Sequence, residues 1–149
     1  MAKKSKIPQS KSGNYWLVKS EPEVFSIDDL YAAVDQTTYW DGVRNYAARN
    51  NLRAMKKGDL ALFYHSNEGM CVVGIAKVVK EAFQDPTTKE EAWVAVEFAP
   101  FKALKTPVTL AQIKEDEYLK DMQLVKLQRL SVSIVKAAEF DRICMLGGL

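Results

Sequence analysis

"DLALFYHSNEGMCVVGIAKVVKEAFQDPTTKEEAWVAVEFAPFKAL" (residues 59–104) decides the fold. Three apolar runs rich in β-branched and aromatic residues follow one another, at 59–66, 70–85 and 92–104. "SNEG" separates the first two, and the polar "DPTTKEE" the last two. Such runs, bounded by Gly, Pro, Asn and Asp, read as strands joined by turns. Gly74 marks a bulge or a close backbone approach, and Pro100 is expected to break the third strand. The two long strands form a central hairpin.

Outward from this hairpin the period changes. "NYWLVKS" (14–20) is a further strand, stopped at Glu21-Pro22. "SIDDLYAAV" opens a helix, with Ser26 as N-cap and Asp28 and Asp29 at the positive end of its dipole. "TTYWDG" (37–42) is extended and ends in a turn at Asp41-Gly42. "RNYAARNNLRAM" has helical spacing, and Lys56, Lys57 and Gly58 stop it. A helix is expected from Thr109 through Lys120, and a terminal one over "KAAEFDRICML". Between them "LQRLSVSIV" reads as the last strand, with Arg129, Ser131 and Ser133 on one face. Short strands with inserted helices, not alternating βαβ units, indicate an α+β fold. Its centre is a small, curved, mainly antiparallel sheet or barrel. The mouth of such a barrel is a common ligand site.

At 149 residues the chain suits one domain with one core. No apolar run reaches the roughly 20 residues of a membrane span, and no secretory h-region follows the start. Cys71 and Cys144 form no C-x-x-C pair, and the sequence holds one histidine, so no metal site is expected. Two reduced, buried cysteines point to an intracellular protein, cytoplasmic or nuclear. Phosphate-cradling glycine motifs and a G-x-S-x-G elbow are missing, so no nucleotide cofactor is expected. Residues 1–13 carry Lys3, Lys4, Lys6 and Lys11 and no acid, and read as a disordered basic tail before a domain at 14–149. Setting those four aside leaves 17 basic residues against 19 acidic ones. A body near −2 has no broad basic face, so a nucleic-acid contact would be local and pocket-like.

Residues 37–66 concentrate aromatic and hydrogen-bonding groups. A base needs a flat apolar face for stacking and a few donors and acceptors for its edge. Trp40 and Tyr64 can give the first, and Asn45 and Ser20 the second. Lys19, Arg44 and Arg49 can hold phosphate. The plain alternative makes Asn45 a helix cap, Arg49 and Arg53 a solvated helix face, and His65 a hydrogen-bonding residue at a strand end. His65 and Ser66 are adjacent in a strand and point to opposite faces, so they cannot form a catalytic pair.

"NYWLVKSEP", "SIDDL", "WDGVRNYAARNNLRAMKKGDLALFYHSN", "VGIAKVVKEAFQDPT" and "LKDMQLVKLQRLSV" resemble the EVE domain family in order and spacing, from about Asn14 to the end. The chain departs at "MCVVGIA", where the family has a proline-glycine turn, and at Ile134, where it has proline. The resemblance implies a PUA-like fold related to YTH and ASCH domains. It also implies a reader of modified bases in nucleic acid, cytosine derivatives in DNA above all, held in an aromatic pocket. Matching motif to motif, that pocket takes Lys19 and Ser20 from "KSEP" and Trp40, Arg44, Asn45 and Tyr46 from "WDGVRNY". It also takes Tyr64, His65 and Ser66 from "FYHS", with Arg129 and Ser131 from "RLSV" nearby. Two other functions stay open: a base-directed amidohydrolase of the ASCH kind using Lys19 and Ser20, or a protein-interaction module with a vestigial pocket.

Overall fold

The computed structural model describes residues 7–149. Its frame is a six-stranded mixed sheet, in the order β2-β5-β4-β3-β1-β6. The strands are β1 (Tyr15–Ser20), β2 (Thr38–Trp40), β3 (Leu60–His65), β4 (Cys71–Gln84), β5 (Val94–Thr109) and β6 (Val132–Val135). β4 and β5 are the expected central hairpin. Four of the five pairings are antiparallel, and β1 runs parallel to β3. The α+β, PUA-like class therefore holds, although the sheet stays open, with β2 and β6 at its edges.

Five helices cover the sheet: α1 (Ile27–Ala32), α2 (Tyr46–Ala54), α3 (Leu110–Glu115), α4 (Gln123–Lys126) and α5 (Ala137–Leu146). Alternation along the strands divides the core in two. Trp16, Val18, Ala61 and Phe63 pack on one face with Leu30 of α1 and Leu52 of α2. Leu17, Leu60, Leu62 and Tyr64 pack on the other with Ile113, Leu124, Phe140 and Ile143 of α3, α4 and α5. Ser26 caps α1 in a reciprocal box with Asp29, and Thr109 caps α3 with Gln112. The fully buried Asp59 accepts from the Trp16 indole and the Lys56 amide, each at 2.9 Å, and from the Ser12 hydroxyl.

Several expectations need correction. Pro100 does not end β5, which runs 16 residues. It sits where the register with β4 slips between Ile75 and Ala76, and β2 pairs only with residues 96–98. A bulge on a strand with a free side tolerates the missing N–H. α3 stops at Glu115, because Asp116 is extended and its side chain accepts from the Tyr118 amide. The short α4 then forms just ahead of the stretch expected as strand, where no element was expected. β6 starts only at Val132, so Arg129 and Ser131 lie in the turn before it. Of the expected basic tail, residues 1–6 lie outside the described residues. Within 7–13, Ser10 donates its amide to the Tyr15 hydroxyl at 3.2 Å.

Gly74 fulfils both parts of its expectation. The register with β5 slips beside it, and a Cβ there would collide with Ile27 of α1 and approach the Lys102 carbonyl at 3.2 Å. Gly74→Ala is expected to destabilise the domain by about 1–3 kcal/mol through overpacking, measured as a lower urea midpoint at unchanged slope.

Candidate nucleic-acid interface

A cleft lies where β1 ends and where β2 turns into α2. Its volume is about 560 Å³. It is lined by Lys19, Ser20 and Phe25 from the end of β1 and the loop after it, by Trp40, Asp41, Gly42, Val43, Arg44 and Asn45 from the end of β2 to the start of α2, and by Ser131 before β6. Volumes of this order suit a small ligand.

Trp40 is half-buried at the end of β2. Its ring meets Phe63 at 5.6 Å, Phe98 at 5.5 Å and Phe25 at 6.5 Å, with interplanar angles of 81°, 86° and 81°. Three near-perpendicular neighbours fix the plane of the indole. Its position comes from the sheet, since Trp40 stands in register with Val96 of β5.

The loop after Trp40 is latched. Asp85, fully buried at the end of the hairpin, accepts from the Gly42 amide at 2.8 Å and from Arg44 Nη1 at 2.9 Å. It also accepts from the Thr87 amide at 2.7 Å and the Thr87 hydroxyl at 2.5 Å, while Arg44 Nη2 donates to Thr87 Oγ1 at 3.0 Å. Gly42 has φ +76°, which a side chain would strain. Burial alone would raise the Asp85 carboxyl, but the hydrogen bonds from Thr87, Arg44 and Gly42 outweigh it and hold it at about 2. Arg44 is thus committed to the latch rather than free for phosphate.

Its neighbours along α2 continue the same chain of contacts. Arg44 lies 5.5 Å over Trp93, whose ring is 4.9 Å from that of Tyr46, and Arg49 lies 5.0 Å over Tyr46. Arg49 also donates to the Ala92 carbonyl at 3.0 Å. Tyr46 and Arg49 therefore brace the cleft from outside it. Asn45 caps α2 through its side-chain oxygen, which accepts from the Ala48 amide at 2.9 Å. The amide nitrogen of Asn45 has no such duty.

At the end of β1, Ser20 donates its hydroxyl to the Phe25 carbonyl at 2.5 Å. Lys19 donates from Nζ to the Gln128 carbonyl at 2.7 Å, and burial lowers its pKa. Lys19 also borders a smaller cavity of about 210 Å³, shared with Tyr64, Ser66 and Lys114. Tyr64 belongs to the core on the opposite face of the sheet from Trp40, so it cannot be the second wall of a stack on that ring. His65 accepts from the Ile27 amide at 3.1 Å and so closes the start of α1. Burial lowers its pKa, Asp28 pulling the other way, and the neutral ring this favours can accept that bond. Arg129 is exposed outside the cleft.

Asp41 escaped the sequence reading, which treated Asp41-Gly42 as a turn only. It lines the cleft directly beside Trp40. Burial and the nearby Asp85 raise its carboxyl, while its own backbone N–H and Arg44 pull it down. Its place between a stacking ring and a polar helix start was the available signal.

The open mixed sheet with helices on both faces is shared with solved structures of known fold. The YTH domain of Zygosaccharomyces rouxii MRB1, solved with N6-methyladenosine RNA, superposes with a TM-score of 0.61 at 13% identity, over 95% of this chain and 90% of that one. That likeness concerns the fold. Residues 14–146 match the EVE domain, and the chain belongs to the EVE domain family. Mouse thymocyte nuclear protein 1 is 42% identical over 89% of this chain and 73% of its own length. An Agrobacterium tumefaciens protein of known structure superposes with a TM-score of 0.89 at 44% identity, covering 91% of this chain and 94% of that one. Human THYN1, solved in complex with 5-methylcytosine containing DNA, gives 0.85 at 40% identity, covering 91% and 98%.

The latch predicts a pH signature. A carboxyl at about 2 when folded and 3.8 in its ordinary state adds stability above pH 4 that is lost as pH falls toward 2. Chemical denaturation between pH 6 and 2 should show that fall, and Asp85→Asn should flatten it while lowering stability at pH 6.

Proposed function

We propose that this chain is a non-enzymatic reader of modified nucleic acid, taking a modified cytosine into the cleft over Trp40. The observation that carries the reading is a clamped, half-buried indole lining a cleft of about 560 Å³. The relative bound to 5-methylcytosine containing DNA, alike over 91% of this chain, supports the ligand class. A base leaving a duplex loses a few kcal/mol of stacking, and an aromatic platform returns about 1–3 kcal/mol. Near-balance of these terms favours modified or unpaired bases over ordinary duplex.

Groups beside the indole give the edge chemistry. Ser20, Lys19 and Arg44 already hold protein partners, whereas the Asp41 carboxylate, next to Trp40, is assigned as acceptor and the Asn45 amide nitrogen as donor. A carboxylate facing the 4-position of a pyrimidine accepts from the exocyclic amine of cytosine and repels the 4-oxo group of thymine. The same inventory favours binding over turnover. An amidohydrolase built on Lys19 and Ser20 would need these two groups free, and each is tied to a backbone carbonyl.

Trp40→Ala should weaken binding to a 5-methylcytosine oligonucleotide by about 5- to 150-fold, the range of one lost base stack. Fluorescence anisotropy measures this, and an unchanged titration would remove Trp40 from the site. Asp41→Ala should lower the preference for 5-methylcytosine over thymine in the same sequence by about tenfold or more, from the worth of a charged hydrogen bond. Equal loss for both bases would show that Asp41 only shapes the cleft.

A further inference from the structure

The rim of the cleft continues onto the face of the sheet that points away from Val96 and Phe98. Tyr39 lines the cleft and is 48% exposed. Its ring meets Phe83 edge-on at 5.1 Å. Lys80 Nζ stands 4.4 Å over the Phe83 ring, and Lys77 Nζ stands 6.0 Å over Phe101, itself 43% exposed. The registers join these residues: Tyr39 opposes Glu97, Glu97 opposes Lys80, and Lys77 opposes Ala99, two residues further along β5. Side chains two apart on a strand share a face. Tyr39, Lys80 and Lys77 thus lie on one face of β2, β5 and β4, with Phe83 against Tyr39 and Phe101 under Lys77. Two lysines and one glutamate leave the strip positive within a body that is slightly acidic.

We infer that this strip, Tyr39–Phe83–Lys80–Lys77–Phe101, is a track for the nucleic-acid strand that flanks the bound base. The inference rests on the base-reading function and extends it beyond the cleft. The exposed Tyr39 ring and the uncovered edges of Phe83 and Phe101 offer apolar surface to neighbouring bases whatever their sequence, and the ammonium groups over the two phenyl rings meet the phosphates. Continuity at Tyr39 selects this occupant, because a strand leaving the cleft over that rim runs directly onto Phe83 and Lys80. A helical protein partner would instead want an apolar groove, and here every exposed ring but Tyr39 lies under a lysine.

The test separates track from cleft by length of ligand. Wild type and Lys77→Ala/Lys80→Ala are titrated with 5-methyl-dCMP by NMR, and with a single-stranded 12-mer carrying one central 5-methylcytosine by anisotropy across a salt series. The mononucleotide should bind both proteins equally. The 12-mer should bind the double variant about 5- to 20-fold more weakly, with the log–log salt slope reduced by about 1.4, or about 0.7 for each lost phosphate contact on single strands. A separate Phe101→Ser variant should lose affinity for the 12-mer without losing salt slope. Unchanged 12-mer affinity and slope in the lysine variant would overturn the track. Failure of wild type to bind the mononucleotide while it binds the 12-mer on these lysines would place recognition on the strip and overturn the cleft reading instead.

Discussion

Asp85 is a single carboxylate at the end of the central hairpin, yet the shape of the cleft follows from it. Four donors converge on it, two from the loop after Trp40 and two from Thr87. A buried charge with that many hydrogen bonds is stable only while all of them are made. The β2–α2 loop is therefore pinned to the β4–β5 connection, some 40 residues away in the chain. Gly42 must turn there with a positive φ, and Asp41 must face the cleft beside the indole. Arg44, read from sequence as a phosphate ligand, is instead the bolt of this latch.

Much of the fold was legible because hydrophobic period and turn chemistry agreed. The central hairpin, the Ser26 cap, the bulge at Gly74 and the helix over Tyr46–Ala54 all follow from local rules. What failed were features set by neighbours rather than by the chain itself. Pro100 reads as a strand breaker in isolation and is tolerated because β2 does not reach it. α4 and the late start of β6 depend on how Leu124 and Leu130 find their two cores. Parallel pairing of β1 with β3 leaves no local mark, since the segments are joined through two helices and an edge strand.

The candidate site was legible as a stretch of sequence and not as a set of side chains. Trp40, Ser20, Lys19, Asn45 and Ser131 do border one cleft, but Tyr64 and Ser66 border another across the sheet. Alternation along β3 sends neighbouring residues to opposite faces, and motif proximity cannot register that. Hydrogen-bond duties separate the residues further. His65 closes a helix, Arg49 braces a ring, and Asn45 spends its side-chain oxygen on a cap. Asp41 was hidden for the converse reason: its turn chemistry accounted for it too easily.

The Lys19 amide donates to the Ser131 carbonyl at 3.0 Å, and β1 lies between β3 and β6. The cleft is consequently sewn shut by segments from near both ends of the chain. A ribosome releasing this protein would expose Trp40 long before Ser131 emerges to complete the wall around it. The wall is complete only once Lys19 and Ser131, far apart in sequence, have met, so the cleft is a late product of long-range pairing rather than of its central stretch.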